Sequence, residues 1–266
     1  MMIILDGVTT KELGLRVLRD YEDPSLPQTI DNTVIIPDRH GEYDFGANMG
    51  RKEFYLPIFL ESQETRYERD IKIDQLKQIL LDSRGKPRYF DLVFEERKDR
   101  KYRVRYSGAL PVDTLLTHAR FTLPLIAFED PFANFIISSE EIIWDSDTPF
   151  MSDVPLDAHY IYDITSPETL TIHNFGTMIA KPIIEIEGSA STITLSANGK
   201  SFSFDSFSES KIIVDDYKYT VTKNGENHLF DMTGDFLNLE TGANEVTVSG
   251  SSLNVKITFK FYAKYL

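Results

Sequence analysis

The chain has 266 residues, of which 41% are hydrophobic and 12% aromatic, enough apolar material for two cores. Its formal net charge of −14 sets the average field against a nucleic-acid backbone or an anionic membrane surface, so neither sequence-specific nucleic-acid binding nor membrane insertion is expected. The lack of cysteine excludes disulfides and thiolate metal sites.

The opening MMIILDGVTT has neither the basic n-region nor the long apolar run of a signal peptide, and no stretch is long and apolar enough to span a bilayer. Residues 2–5 predict a first strand, turned by Asp6-Gly7, with Thr9 or Thr10 placed to cap a brief segment. Asp23-Pro24 and Leu26-Pro27 mark a loop. Residues 33–36 predict a strand stopped by Pro37-Asp38. Gly41, Gly46 and Gly50 then divide the chain into short pieces. Residues 53–60 follow as a strand, and Pro57 suggests an edge position or a bulge. One helix is predicted over residues 65–83, with Tyr67, Ile71, Leu76, Ile79 and Leu80 on its apolar face; Gly85 and Pro87 stop it. Residues 89–94 and 101–106 predict a hairpin around a charged turn, and residues 119–128 a strand interrupted at Pro124.

Composition changes near residues 131–139. Every arginine lies at or before Arg120. Residues 1–137 hold 20 Lys+Arg against 23 Asp+Glu, net −3; residues 138–266 hold 8 lysines against 19 acids, net −11. The domain organisation expected is therefore 1–137, α+β, and 138–266, an acidic β unit. Residues 138–168 carry Pro149, Pro155 and Pro167 yet also Trp144, Phe150, Tyr160 and Tyr162. Disordered linkers are poor in aromatics, so most of this stretch is expected to be ordered and packed on the second unit.

From Thr169 the pattern is β throughout. Strands are predicted at 170–173, 182–187, 192–195, 201–204, 211–214 and 217–222, with Asn198-Gly199 and Asn224-Gly225 as tight turns. At the end, Leu253, Val255, Ile257, Phe259 and Phe261 alternate with Asn254, Lys256, Thr258 and Lys260, the period of a half-buried strand. Val246 and Val248 form a shorter strand before it, and Ser249-Gly250-Ser251-Ser252 reads as the turn of a closing hairpin. Many short strands with turns between them predict a sandwich or jelly roll.

Chemistry-bearing clusters are sparse. His40, His118, His159, His173 and His228 are scattered, none at metal-ligand spacing. Asp145-Ser146-Asp147 resembles the start of a calcium loop without the glycine and distal glutamate that complete one. Asp215-Asp216 most simply makes a turn. There is no phosphate-cradling glycine loop and no nucleophile elbow. No catalytic, cofactor-binding or metal residue is assigned, no cofactor is expected, and the chain is read as a non-enzyme.

Several stretches resemble the distal tail proteins of long-tailed phages and prophages of Gram-positive bacteria. These are MIILDGVTTKELGLRVL, GEYDFGANMGRKEFYLPIFL, LKQILLDSRGKPRYFDLVFEERKDRKYRVRYSG and AFEDPFA in the first half. In the second half HNFGTMIAKPIIEIEGSASTITLSANGKSF supplies Asn174, Gly176, Ala180 and Pro182. TGDFLNLETGANEVTVSG supplies Gly234, Leu237, Leu239, Gly242 and Asn244. Residues 142–168 are the least family-like part. The resemblance implies a mainly β protein: an N-terminal belt domain of β-barrel or split-barrel type with one helix, and a C-terminal galectin-like β-sandwich. It implies a homo-hexameric ring at the virion tail tip, made in the host cytoplasm, joining the tail tube to the tail fibre or tail-associated lysin below. In some members the outer domain carries receptor-binding proteins. The alternative is a carbohydrate-binding, lectin-like module for host cell-wall saccharides, built on residues 138–266.

Overall fold

A computed structural model of the chain describes residues 2–18, 21, 24–142, 154 and 158–266. Among the described residues the chain is mainly β with one α-helix, and it divides into two compact units, Met1–Ala133 and Asn134–Leu266.

The first unit is an antiparallel sheet curled into a half-barrel. Its strands run in the spatial order Val8–Thr9, Ile3–Leu5, Tyr89–Phe94, Arg100–Tyr106, His118–Ala127, Lys52–Leu60, Leu15–Val17. Period-two alternation places Phe54, Leu56, Ile58 and Leu60 against Phe121, Leu123, Leu125, Phe90, Leu92 and Val104 in one core. Each such side chain contributes about 1.5–3 kcal/mol on burial. Two prolines sit inside these strands: Pro57 stands where its strand has lost the neighbour on one side, a local edge, and Pro124 does not interrupt its strand. The reason is local. Pro57 O accepts from Leu18 N (2.8 Å) and Pro124 O from Ser107 N (3.3 Å), each donor lying just past the end of a neighbouring strand. The absent N–H of each proline points to the same side as its carbonyl, where the neighbour is already ending, so no ladder bond is lost.

The helix, Arg66–Leu80, closes the other side of this core. Thr65 is its N-cap in a capping box with Glu68, which satisfies two end donors and is typically worth about 1 kcal/mol. Its buried residues are Ile73, Leu76, Ile79 and Leu80. Tyr67, 74% exposed, and Ile71 do not belong to the apolar face assigned to them, and Ile73 does. The helix ends before Gly85 because Leu81 turns out to an extended conformation and bridges Pro87.

The second unit is a sandwich. One sheet runs Ile161–Ile164, Asn254–Lys260, Ile183–Ala190, Phe207–Asp215, Thr220–Lys223, Glu226–Asn227. The other runs Glu168–Asn174, Gly242–Ser251, Thr192–Ala197, Lys200–Phe204, Met232–Gly234. Their inner faces form one core that includes Ile172, Ile186, Leu195, Phe202, Val246, Val248, Ile257 and Phe259. The alternation from Leu253 to Phe261 is borne out, since all five apolar residues are buried. The closing hairpin is not: Gly242–Ser251 pairs with Glu168–Asn174 and Thr192–Ala197, whereas Asn254–Lys260 pairs with Ile161–Ile164 and Ile183–Ala190. The turn at Gly250 to Ser252, where Gly250 has φ +151° and Ser252 φ +52°, carries the chain from one sheet to the other. The final strand is also shorter at its end, and Lys264–Tyr265 follows it as a separate strand. Residues 217–219, expected in a strand, form a turn. Of residues 138–168, Ile142, Ala158, Tyr160 and Tyr162 pack on the sandwich core. Trp144, Asp145, Asp147, Pro149, Phe150 and Pro155 lie outside the described residues.

Glu185 makes one pH-dependent contribution. Burial alone would raise its carboxyl, but hydrogen bonds from Lys211 and Lys260 (both 3.0 Å), together with their charges, outweigh it and hold the pKa below the ordinary value. A depressed carboxylate stabilises the fold fully above its unfolded pKa, and that stabilisation disappears as pH falls through the folded value. Urea unfolding of the second unit should therefore show wild type losing stability as pH drops below the normal glutamate range. Glu185→Gln should start lower at neutral pH and show a flatter acid limb. Parallel curves for the two would remove Glu185 from the acid response.

Candidate interaction surfaces

Two surfaces of the first unit stand out. The first is the hairpin of Thr29–Ile35 and Glu42–Met49, which pair only with each other among the described strands. The sequence predicted only its first strand, as residues 33–36. The glycines were read as dividing the rest; instead the second strand runs through Gly46. There the register shifts between Asp31 and Thr33, with Phe45 and Gly46 opposite Asn32. Gly46, at φ +89°, supplies the left-handed residue of this bulge, and its N–H donates to Asp44 Oδ1 (2.7 Å). Every residue of both strands is exposed, with Ile35 and Phe45 each 70% exposed and Ile30, Val34, Tyr43 and Met49 also open.

The register gives this hairpin two unlike faces. Direct cross-strand partners share a face and successive residues alternate. Ile30, Asn48, Val34 and Tyr43 fall on one side. Asp31, Ala47, Thr33, Asp44, Ile35 and Glu42 fall on the other. The first face is uncharged and holds Ile30, Val34 and Tyr43; the other carries the carboxylates together with exposed Ile35 and Met49.

The second surface is the side of the half-barrel sheet turned away from its core. Arg16, Tyr55, Phe59, Arg103 and Arg120 alternate outward, between core residues on the same strands. Phe59 is the direct partner of both Arg16 and Arg120, so two arginine positions stand in register on either side of it across three strands. Arg105 lies over Phe128 (4.6 Å) and Tyr89 (5.5 Å), and its buried Nε has no hydrogen-bond acceptor. Tyr55 donates to Glu53 Oε2 (2.6 Å), which lowers the Glu53 pKa and raises that of the phenol; Arg51 completes the set at 2.7 Å from Glu53 Oε1.

The histidines do not converge. His40 is exposed in the hairpin turn, His118 lies against Phe59 (5.5 Å) and His159 against Tyr162 (5.0 Å), and His173 is within Glu168–Asn174. His228 Nδ1 is 2.8 Å from Asp231 Oδ2, beside a cleft of about 300 Å³ that Phe230 also lines. Among the described residues no group of three or more His, Asp or Glu is placed to hold a metal. Asp215 accepts from Lys218 N (3.0 Å) as the expected turn, while burial raises the Asp216 pKa against the pull of Lys181 and Lys200.

Asn174 and Asn244, picked out in the sequence only as parts of a resemblance, prove to be buried clasps. Asn174 Nδ2 donates to Met178 O (2.8 Å) and Leu239 O (3.2 Å), and its Oδ1 accepts from Gly176 N (3.1 Å). Asn244 Oδ1 accepts from Glu240 N (2.8 Å) and Asn198 Nδ2 (2.7 Å), and its Nδ2 donates to Ile172 O (3.3 Å), Glu240 O (2.9 Å) and Gly242 O (3.0 Å). Gly176 permits the approach of Lys264: a Cβ there would stand 2.5 Å from Lys264 O.

Residues 8–127 match the phage tail protein RIFT-related domain, and residues 175–263 match the siphovirus-type tail component C-terminal domain. The chain belongs to the siphovirus tail-component family. It is a structural tail protein of the distal-tail type, and the lectin-like alternative is not favoured, since the models matching both halves are of tail components. The fold of this tail component is also that of the SPP1 Dit protein, whose crystal structure is described as a paradigm of the hub adsorption apparatus in Gram-positive-infecting phages. That match has a TM-score of 0.69 at 14% identity, covering 100% of this chain and 99% of that one. A chain of the phage P2 baseplate in its activated conformation with Ca is a looser match, with a TM-score of 0.39 at 12% identity over 94% of this chain and 91% of that one. Comparison with curated proteins finds no match.

Proposed function

We propose that this tail component assembles as a homo-hexameric ring at the virion tail tip and joins the tail tube to the fibre or tail-associated lysin below. Residues 1–137 are its ring-forming, tube-contacting domain, and residues 138–266 its outward domain, a place for receptor-binding proteins. It works as an adapter without catalysis or cofactor. The observation that carries this reading is the hairpin. An isolated two-stranded hairpin is marginal in water, and this one shows both strand edges and a row of apolar side chains to solvent. Such a surface calls for a protein partner. The arginine and tyrosine content of the outer sheet face suits a protein interface as well. Membership of a tail family and the fold of a hub protein agree with it.

Light scattering with negative-stain microscopy on the full chain tests the proposal. Rings of six subunits are expected; a strict monomer at every concentration would overturn it.

A further inference from the structure

The ring reading leaves open which surface of a neighbour receives the hairpin, and charge singles one out. Residues 29–49 carry Asp31, Asp38, Glu42 and Asp44 against Arg39, net −3. Asp31, Glu42 and Asp44 share one face of the hairpin. On the strands of the half-barrel, the outward positions hold Arg16, Lys101, Arg103, Arg105 and Arg120 against Glu53, Asp91 and Asp113. Five cations less three carboxylates leave +2, in a chain whose overall balance is −14. The two surfaces are opposite in sign, and both belong to the first unit.

We propose that the carboxylate face of the hairpin of one copy seats on the arginine and aromatic sheet face of the next copy, around Arg16, Tyr55, Phe59 and Arg120. This rests on the ring reading and adds its pairing rule. The two patches differ from each other, so the contact is head to tail, the kind that closes into a ring when the rotation is right. Exposed Arg16 and Arg120 sit on the two strands that flank the strand of Phe59, about 10 Å apart, two strand spacings, with Phe59 in register between them. Glu42 and Asp44 are two residues apart on one strand, about 7 Å, and Asp31 adds a third carboxylate on the paired strand. Carboxylates brought to guanidinium groups around a ring form charge-assisted bonds at a partly dry site. The same complementarity sets register and suppresses wrong partners.

The test is a charge exchange in the full chain, read as assembly mass against protein and salt concentration. Glu42→Lys with Asp44→Lys should raise the concentration needed for assembly at least tenfold, and so should Arg16→Glu with Arg120→Glu. Mixing the two variants should restore hetero-assembly, because each then offers the other one reversed and one native surface of matching sign. Melting curves confirm that each variant is folded. Because the chain has no cysteine, a second readout is open: a short bis-maleimide should join Asp44→Cys chains to Arg120→Cys chains and leave each variant alone largely unjoined. Wild-type rings with both charge variants assembling as wild type, or rings with no cross-link between those positions, overturn the pairing and leave the ring intact. A wild-type monomer overturns the ring itself.

Discussion

Excising residues 29–49 and joining Gln28 to Gly50 through an Asn-Gly loop should leave a folded, monomeric protein. Gly50 N already donates to Gln28 O at 2.7 Å, so the chain ends meet as the last pair of a hairpin and accept a two-residue turn. None of the excised residues belongs to the first unit's buried cluster. Its removal should therefore change unfolding stability by less than about 1 kcal/mol, as expected for changes away from core and caps. Assembly should be lost outright, because both exposed edges and the carboxylate and uncharged faces go together. Sedimentation velocity on the deleted and intact chains decides the matter. A deleted chain that still sediments as a large assembly, or one that no longer folds, would count against the hairpin as a dedicated contact element.

The second large effect is expected in the sandwich. Asn244 is 2% exposed and serves one backbone donor and three carbonyls from two stretches of chain. Asn244→Ala strands several of these groups in a dry interior, each costing about 1–3 kcal/mol. With partial relaxation, the loss should be about 3–5 kcal/mol in the unfolding transition of the second unit. Gly176→Ala should approach it by a different route, since its methyl would overlap the Lys264 backbone rather than a side chain that can swing away. Asn254→Ala, at an exposed strand position, is the control and should stay within about 0.5 kcal/mol. Urea titrations followed by fluorescence and circular dichroism give all three values. A change below 1 kcal/mol for Asn244→Ala would mean that water replaces the amide, and the clasp would be decorative.

These residues show how far the sequence could be read. The strand Asn254–Lys260 was legible because its alternation is local and uninterrupted. Its pairing is hidden because two strands joined by a short turn look alike whether they hydrogen-bond to each other or cross between sheets; only the ladders they make with other strands distinguish the cases. Half of the exposed hairpin was legible, from the apolar positions near Val34. The other half was hidden because a bulge at Gly46 breaks period two, and a glycine reads equally well as a strand end. Tyr67 and Ile71 were placed on the buried side of the helix because periodicity gives a face, not its angular limits. Asn174 and Asn244 gave no chemical signal at all: an asparagine that caps buried backbone has the same letter as one in a loop.

The amino-acid sequence by itself determined the β character, the single helix, the arginine-bearing and arginine-free halves, the lack of cysteine chemistry and the family resemblance. The first four follow from composition or from local periodicity, and the resemblance from the order of several stretches along the chain. Only the tertiary structure decided which strands pair, that two prolines sit harmlessly beside the ends of shorter strands, and that Asp31, Glu42 and Asp44 share a face. It also decided that Arg16 and Arg120, more than one hundred positions apart, flank one phenylalanine. Pairing across a sheet is set by the burial of the whole core, which no local window contains, and the faces available to a partner are what that burial leaves outside.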